Sequence, residues 1–167
     1  MSKSAKSDGA NLFTPGKLKN IKSHLVYNLW IPPEDLNVKF DETHENHCFL
    51  TFSNVKHNFT FAKIYFGISK GHVEIFDIVT NCYRLKDHYD IDHPTSFNII
   101  MKELITCVRQ FCVYSSRGKR SECKIITYDI LEFNSLNRML GKFLIDNGFF
   151  YDSDLESPQL RLFLGEK

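Results

Sequence analysis

The sequence predicts an α/β (α+β) domain in which a mixed, mostly antiparallel sheet is flanked by helices. Three observations carry that expectation. "HCFLTFSN", "NFTFAKIYFGI" and "HVEIFDIVT" are consecutive β-branched and aromatic runs separated by short polar joints, the pattern of strands joined as hairpins. On either side of them lie stretches whose apolar residues recur every three or four positions, the period of an amphipathic helix. Towards the carboxyl end strand-like and helical segments alternate, as "KIITYDI", then "NSLNRMLGKFLIDNGFF", then "PQLRLFLG".

Residues 1–12 are small, polar and basic at their start and repay ordering poorly, so they are expected to form a flexible lead-in, with 13–167 as one domain. Thr14 before Pro15 reads as a helix start: the hydroxyl can cap, and the proline lacks only an N–H that would have no partner there. Leu18, Ile21, Leu25 and Leu29 (or Trp30) form the buried stripe of that helix, and Pro32 and Pro33 end it. In "HVEIFDIVT", Val73, Ile75 and Val79 are expected on one face and Phe76 and Ile78 near the other, which marks a strand buried on both sides. Phe97, Ile100, Met101, Leu104, Ile105, Val108 and Phe111 trace a long helix that Asp92, Thr95 or Ser96 can cap, with Pro94 near its first turn. The expected order is helix, three strands, helix, strand, helix, strand.

The chain has 167 residues, 43% of them hydrophobic with 15 phenylalanines, enough for a real core. Its 21 basic and 20 acidic residues leave a net charge of +1, so no global field steers it towards nucleic acid. A charge-driven partner must therefore meet a local patch, and "SSRGKRSECK" supplies one in Arg117, Lys119, Arg120 and Lys124. Five irregularly spaced cysteines and no signal-peptide core argue for a reducing, cytoplasmic setting, and no apolar run reaches membrane-spanning length. The heavy use of Phe, Ile, Lys and Asn fits an AT-rich genome such as a phage's.

The stretch from Asn134 to Phe150 places Leu136, Leu140, Phe143 and Leu144 at helical spacing, carries Asn137 near its start and ends in Asn147, Gly148 and two phenylalanines expected to enter the core. With the strand before it and the order of elements over roughly residues 15 to 165, it resembles the last helix of the acyl-CoA-dependent N-acetyltransferase (GNAT) superfamily. That resemblance implies a mixed sheet whose long central strand leads into the main helix, followed by a diverging strand. It also implies acetyl-CoA, gripped by a glycine-rich turn whose N–H groups meet the pyrophosphate at a helix N-terminus. Residues 80–96, where that turn would lie, contain no glycine and carry Asp87, Asp90 and Asp92, which repel phosphate. Leu144 stands where many family members place a tyrosine that protonates the leaving thiolate, and Tyr114, Tyr128 and Tyr151 are not selected by spacing as substitutes.

Under an acetyltransferase reading, Glu74 and Asp77 on the central strand are the carboxylates able to deprotonate an amine, provided that burial raises their pKa. His44, His47, Cys48 and His57 lack the paired spacing of a zinc site, and no metal is expected. Cys82 with His88 or His93 is the pairing that a cysteine nucleophile would use, while Cys107 and Cys112 read as core residues. The expectation is thus a non-catalytic, GNAT-like binding module without cofactor. It would dock on a larger protein or nucleoprotein complex, in the manner of a phage protein acting on host transcription or defence machinery, with nucleic acid as a further partner of the basic patches. The alternative is a divergent acetyl-CoA-dependent acetyltransferase.

Overall fold

The structure, a computed structural model, describes residues 8–44, 46–69, 72–115, 125–129, 138–152 and 159–163. Its elements in chain order are α1 (Asp8–Leu12), α2 (Pro15–Leu29), β1 (Leu36–His44), β2 (His47–Asn54), β3 (Phe59–Ser69), β4 (His72–Thr80), α3 (His93–Ser115), β5 (Ile125–Asp129), α4 (Arg138–Asp146), β6 (Phe150–Asp152) and β7 (Gln159–Phe163). Short 3-10 turns at Pro33–Asp35 and Cys82–Asp87 join α2 to β1 and β4 to α3. The seven strands make one mixed sheet in the order β1-β2-β3-β4-β5-β7-β6. Every neighbouring pair is antiparallel except β4 and β5, which run parallel and pair over Val73–Ile75 while β4 continues to Thr80. A central strand leading into the main helix, with a partner that pairs only at one end, is the arrangement that the GNAT resemblance implies.

Local chemistry starts and stops the helices where the sequence says it should. The Thr14 hydroxyl accepts the Lys17 N–H at 3.2 Å, and Pro15 occupies the first turn of α2. At α3 the Asp92 carboxylate accepts both the Thr95 N–H at 2.8 Å and the Thr95 hydroxyl at 2.9 Å. At the end of α4, Gly148 takes φ 98°, its N–H reaches the Ile145 carbonyl at 3.1 Å, and the Phe149 N–H reaches the Leu144 carbonyl at 3.0 Å. That pair of bonds is a Schellman cap, with glycine in the left-handed position and the following aromatic in the core.

The helices pack on one face of the sheet. Phe66 of β3 meets Phe111 of α3 edge-on at 5.1 Å, Phe13 stacks on Phe40 of β1 at 4.8 Å, and Phe97 of α3 meets Phe143 of α4 at 6.2 Å. Ile21, Leu25 and Leu29 of α2 are buried beside them, so the stripe ends at Leu29 and Trp30 faces solvent. The opposite face carries an aromatic row, Phe49 on Tyr65 at 4.3 Å and Tyr65 against Phe76 at 4.7 Å, which are cross-strand pairs of the kind that stabilise a half-open sheet.

Four expectations require correction. Leu36–His44 forms a strand that the sequence pattern hid: only Leu36 and Val38 of its nine residues are buried, because β1 is an edge with a single neighbour. On β4 the register passes from Tyr65 opposite Asp77 to Phe66 opposite Ile75, so Phe76 is a bulged residue without a partner. The bulge resets the alternation: Ile78 joins Val73 and Ile75 in the core, and Val79 is exposed. Phe150 opens a short edge strand and faces solvent, so of the two terminal phenylalanines only Phe149 is buried. The flexible lead-in does not extend to residues 8–12, which form α1 with Gly9 pressed against the Phe40 ring, while residues 1–7 lie outside the described residues. Among the described residues, no helix is long and apolar enough to cross a membrane.

Candidate functional site

Where β4 hands over to α3, the chain closes one end of a cleft of about 720 Å³ whose other wall is the end of α2. Asn28, Leu29 and Trp30 line it from α2, and Lys86, His88, Tyr89, Asp90, Ile91, Asp92 and Thr95 line it from the other side. Its floor is held by a buried polar network. The Tyr89 hydroxyl donates to Asp35 at 2.8 Å and accepts from the Asn54 side-chain Nδ2 at 2.6 Å, and the Asn54 side-chain Oδ1 accepts the His57 backbone N–H at 2.7 Å. Asp35 and Asn54 are both buried, so this network ties the α2–β1 joint and the β2–β3 turn to the loop before α3. Burial pushes the Tyr89 phenol above its ordinary pKa, which keeps it a neutral donor. Beside it, the His57 and His88 rings stack at 3.7 Å.

The GNAT resemblance implies a phosphate-bearing cofactor at the start of α3, and the residues there do not fit one. Pro94 has no N–H, the Thr95 N–H is taken by the Asp92 carboxylate, and the Ser96 N–H donates to the Asp92 carbonyl at 3.1 Å. The hydrogen bonds from Thr95 hold the Asp92 carboxyl below its usual range, so a fixed negative charge sits at the start of α3. Instead of a glycine-rich turn, the chain before it is the 3-10 turn Cys82–Asp87, pinned by buried Cys82 and Leu85.

The structure separates the other residues singled out above. Glu74 is half-exposed and pairs with His72 at 3.5 Å, and Asp77 is exposed, so neither carboxylate has the burial that the base role required. Arg117, Lys119, Arg120 and Lys124 lie outside the described residues, as does Cys123. Leu144 is wholly buried in the α4 cap, and Tyr114 is an exposed residue of α3. Cys82 donates to the Phe61 carbonyl at 3.5 Å and burial pushes its thiol up to about 12; Cys107 is likewise pushed up to about 12, and Cys48 is raised too. None of the three holds a thiolate near neutrality, which removes Cys82 as a nucleophile. His44 and His47 stand 5.7 Å apart at the β1–β2 turn, and no metal-binding cluster is found among the described residues.

No family model and no curated protein sequence matches the chain. Among solved structures it is similar to an acetyltransferase from Bacillus cereus ATCC 14579. The likeness has a TM-score of 0.39 at 13% identity and covers 90% of this chain and 94% of that one.

Two features of the cleft carry no functional signal in the sequence. Trp30 had been one of two alternatives for the end of the α2 stripe, and the structure places it outside the core at 88% exposure with Tyr27 at 81%. The Asp35–Tyr89–Asn54 network joins positions far apart in sequence, so no local spacing announces it. The signal available in sequence was the pair of prolines after Ile31, which bar α2 from continuing past this point.

Proposed function

We propose that the chain is a non-catalytic binding module of the cytoplasm, built on a GNAT-like scaffold, that docks on a larger protein or nucleoprotein complex. The observation that supports this reading is the closed start of α3, where Asp92 and Pro94 remove the N–H groups that would grip a pyrophosphate. Leu144 in place of a proton donor points the same way, and half-exposed Glu74 and exposed Asp77 lack the burial a base on the central strand would have. The cations Arg117, Lys119, Arg120 and Lys124 supply one contact for an acidic partner or a phosphate backbone. The composition suits a phage protein, for which host transcription or defence machinery is the fitting complex.

The test is thermal. A ligand that binds only the folded state raises the melting temperature by mass action. Millimolar acetyl-CoA is expected to leave it unchanged, and a rise of several degrees would show cofactor binding and overturn the cofactor-free reading.

A further inference from the structure

We propose that the cleft beside Trp30 docks a cationic, arginine-bearing segment of a protein partner. The inference rests on the binding-module reading and adds to it a surface and a partner chemistry. Trp30 is the single tryptophan of the chain, and with Tyr27 three residues earlier on the same helix face it forms a large aromatic projection into solvent. Tryptophan, tyrosine and arginine are the residues that dominate binding energy at protein interfaces.

The backbone at Trp30 carries a cost for this placement. Its φ of 57° and ψ of 39° are left-handed, and its N–H closes the end of α2 on the Val26 carbonyl at 3.0 Å. Glycine or asparagine takes that position without strain, and a bulky aromatic does not. An indole held there and exposed adds nothing to the core.

Trp30 stands between two cavities. One, of about 510 Å³, is apolar and lined by Val26, Tyr27, Ile31 and Pro32. The other is the cleft at the start of α3, whose lining carries two carboxylates, Asp90 and Asp92, against one ammonium, Lys86. Asp92 stays ionised across the physiological range, and Asp87 next to the cleft is exposed. A guanidinium is the group that matches this pair of surfaces: it stacks flat on an indole while its N–H fork meets a carboxylate. An aliphatic neighbour on the same segment fills the apolar cavity. Nucleic acid is disfavoured because its phosphates would face Asp90 and Asp92.

Because Trp30 is the only tryptophan, its fluorescence reports the site directly. The probe is a short synthetic peptide with leucine and arginine in adjacent turns, titrated beside the same peptide carrying citrulline for arginine and beside a single-stranded oligonucleotide. The expected result is a saturable change in Trp30 emission with the arginine peptide, at least tenfold weaker with citrulline and at least tenfold weaker for Asp90→Asn. Trp30→Gly should remain folded, melt about 2–4 °C higher and lose binding of the labelled peptide. No response at millimolar peptide, equal responses to arginine and citrulline, a stronger response to the oligonucleotide, or undiminished binding by Trp30→Gly would each overturn the inference. Stabilisation by acetyl-CoA would sink the binding-module reading alone, since it is measured without the peptide.

Discussion

Gly148 and Trp30 end two helices in the same left-handed region with opposite consequences. At Gly148 the absent side chain is required twice, by φ 98° and by the Leu162 methyl that a Cβ would meet at 3.1 Å. Gly148→Ala is therefore expected to cost about 1–2 kcal/mol, visible as a lower denaturant midpoint with an unchanged slope. At Trp30 the side chain is the strained partner and contributes little burial, so Trp30→Gly should stabilise by about 1 kcal/mol in the same measurement. Of these two positions the sequence disclosed only the first. A glycine after an apolar stripe announces its cap, whereas a tryptophan after one reads as the last core residue until the prolines beyond it are given weight.

At the scale of elements, strands with buried neighbours on both sides were legible and edges were not. The spans of β2 and β4 follow from their apolar content, since each lies between two strands. The edge strand β1 buries Leu36 and Val38, half-buries Phe40 against Phe13, and otherwise presents Lys39, Asp41, Glu42 and His44 to water, a composition that reads as loop. The bulge at Phe76 was hidden for a different reason: alternation is a local rule, and an extra residue is set by the partner strand.

The stacked His57 and His88 join the β2–β3 turn to the loop before α3, and they make that joint sensitive to acid. Burial first, then the neighbouring His88 and Lys56, lower the His57 pKa, with Asp35 opposing. The folded state thus binds a proton less readily than the unfolded chain. The stabilisation is present above the ordinary imidazole value of about 6.5 and is lost as pH falls through the lower folded value. Amide exchange at residues 54–59, corrected for its intrinsic pH dependence, should speed up between about pH 7.5 and pH 5, and His57→Phe should flatten that response. Asp92 has the same sign in a more acidic window, because its carboxyl is lowered below the aspartate range. Its contribution to the α3 cap is lost only as pH falls below about 4.

For the whole molecule, one mixed sheet of seven strands carries the fold. The helix α3 lies on β3 and β4 through residues such as Phe111, and Phe111→Ala is expected to cost about 3–5 kcal/mol in an unfolding titration. The order of elements was legible apart from α1, β1 and β6, because period-two and period-3.6 patterns alternate along the rest of the chain. The cleft was not, because it is assembled from the end of α2 and the loop before α3, far apart in sequence, and its acidic lining was visible only as "DHYDID" without a face to line. What the sequence did disclose, a junction without glycine, takes physical form in Asp92, whose carboxylate holds the helix N–H group that an anion would use.

Calorimetric titration with acetyl-CoA shows whether the β4–α3 junction grips an acyl-CoA. Only the heat of dilution is expected up to millimolar ligand. A saturable isotherm with a micromolar Kd, about −8 kcal/mol of binding free energy, would contradict it.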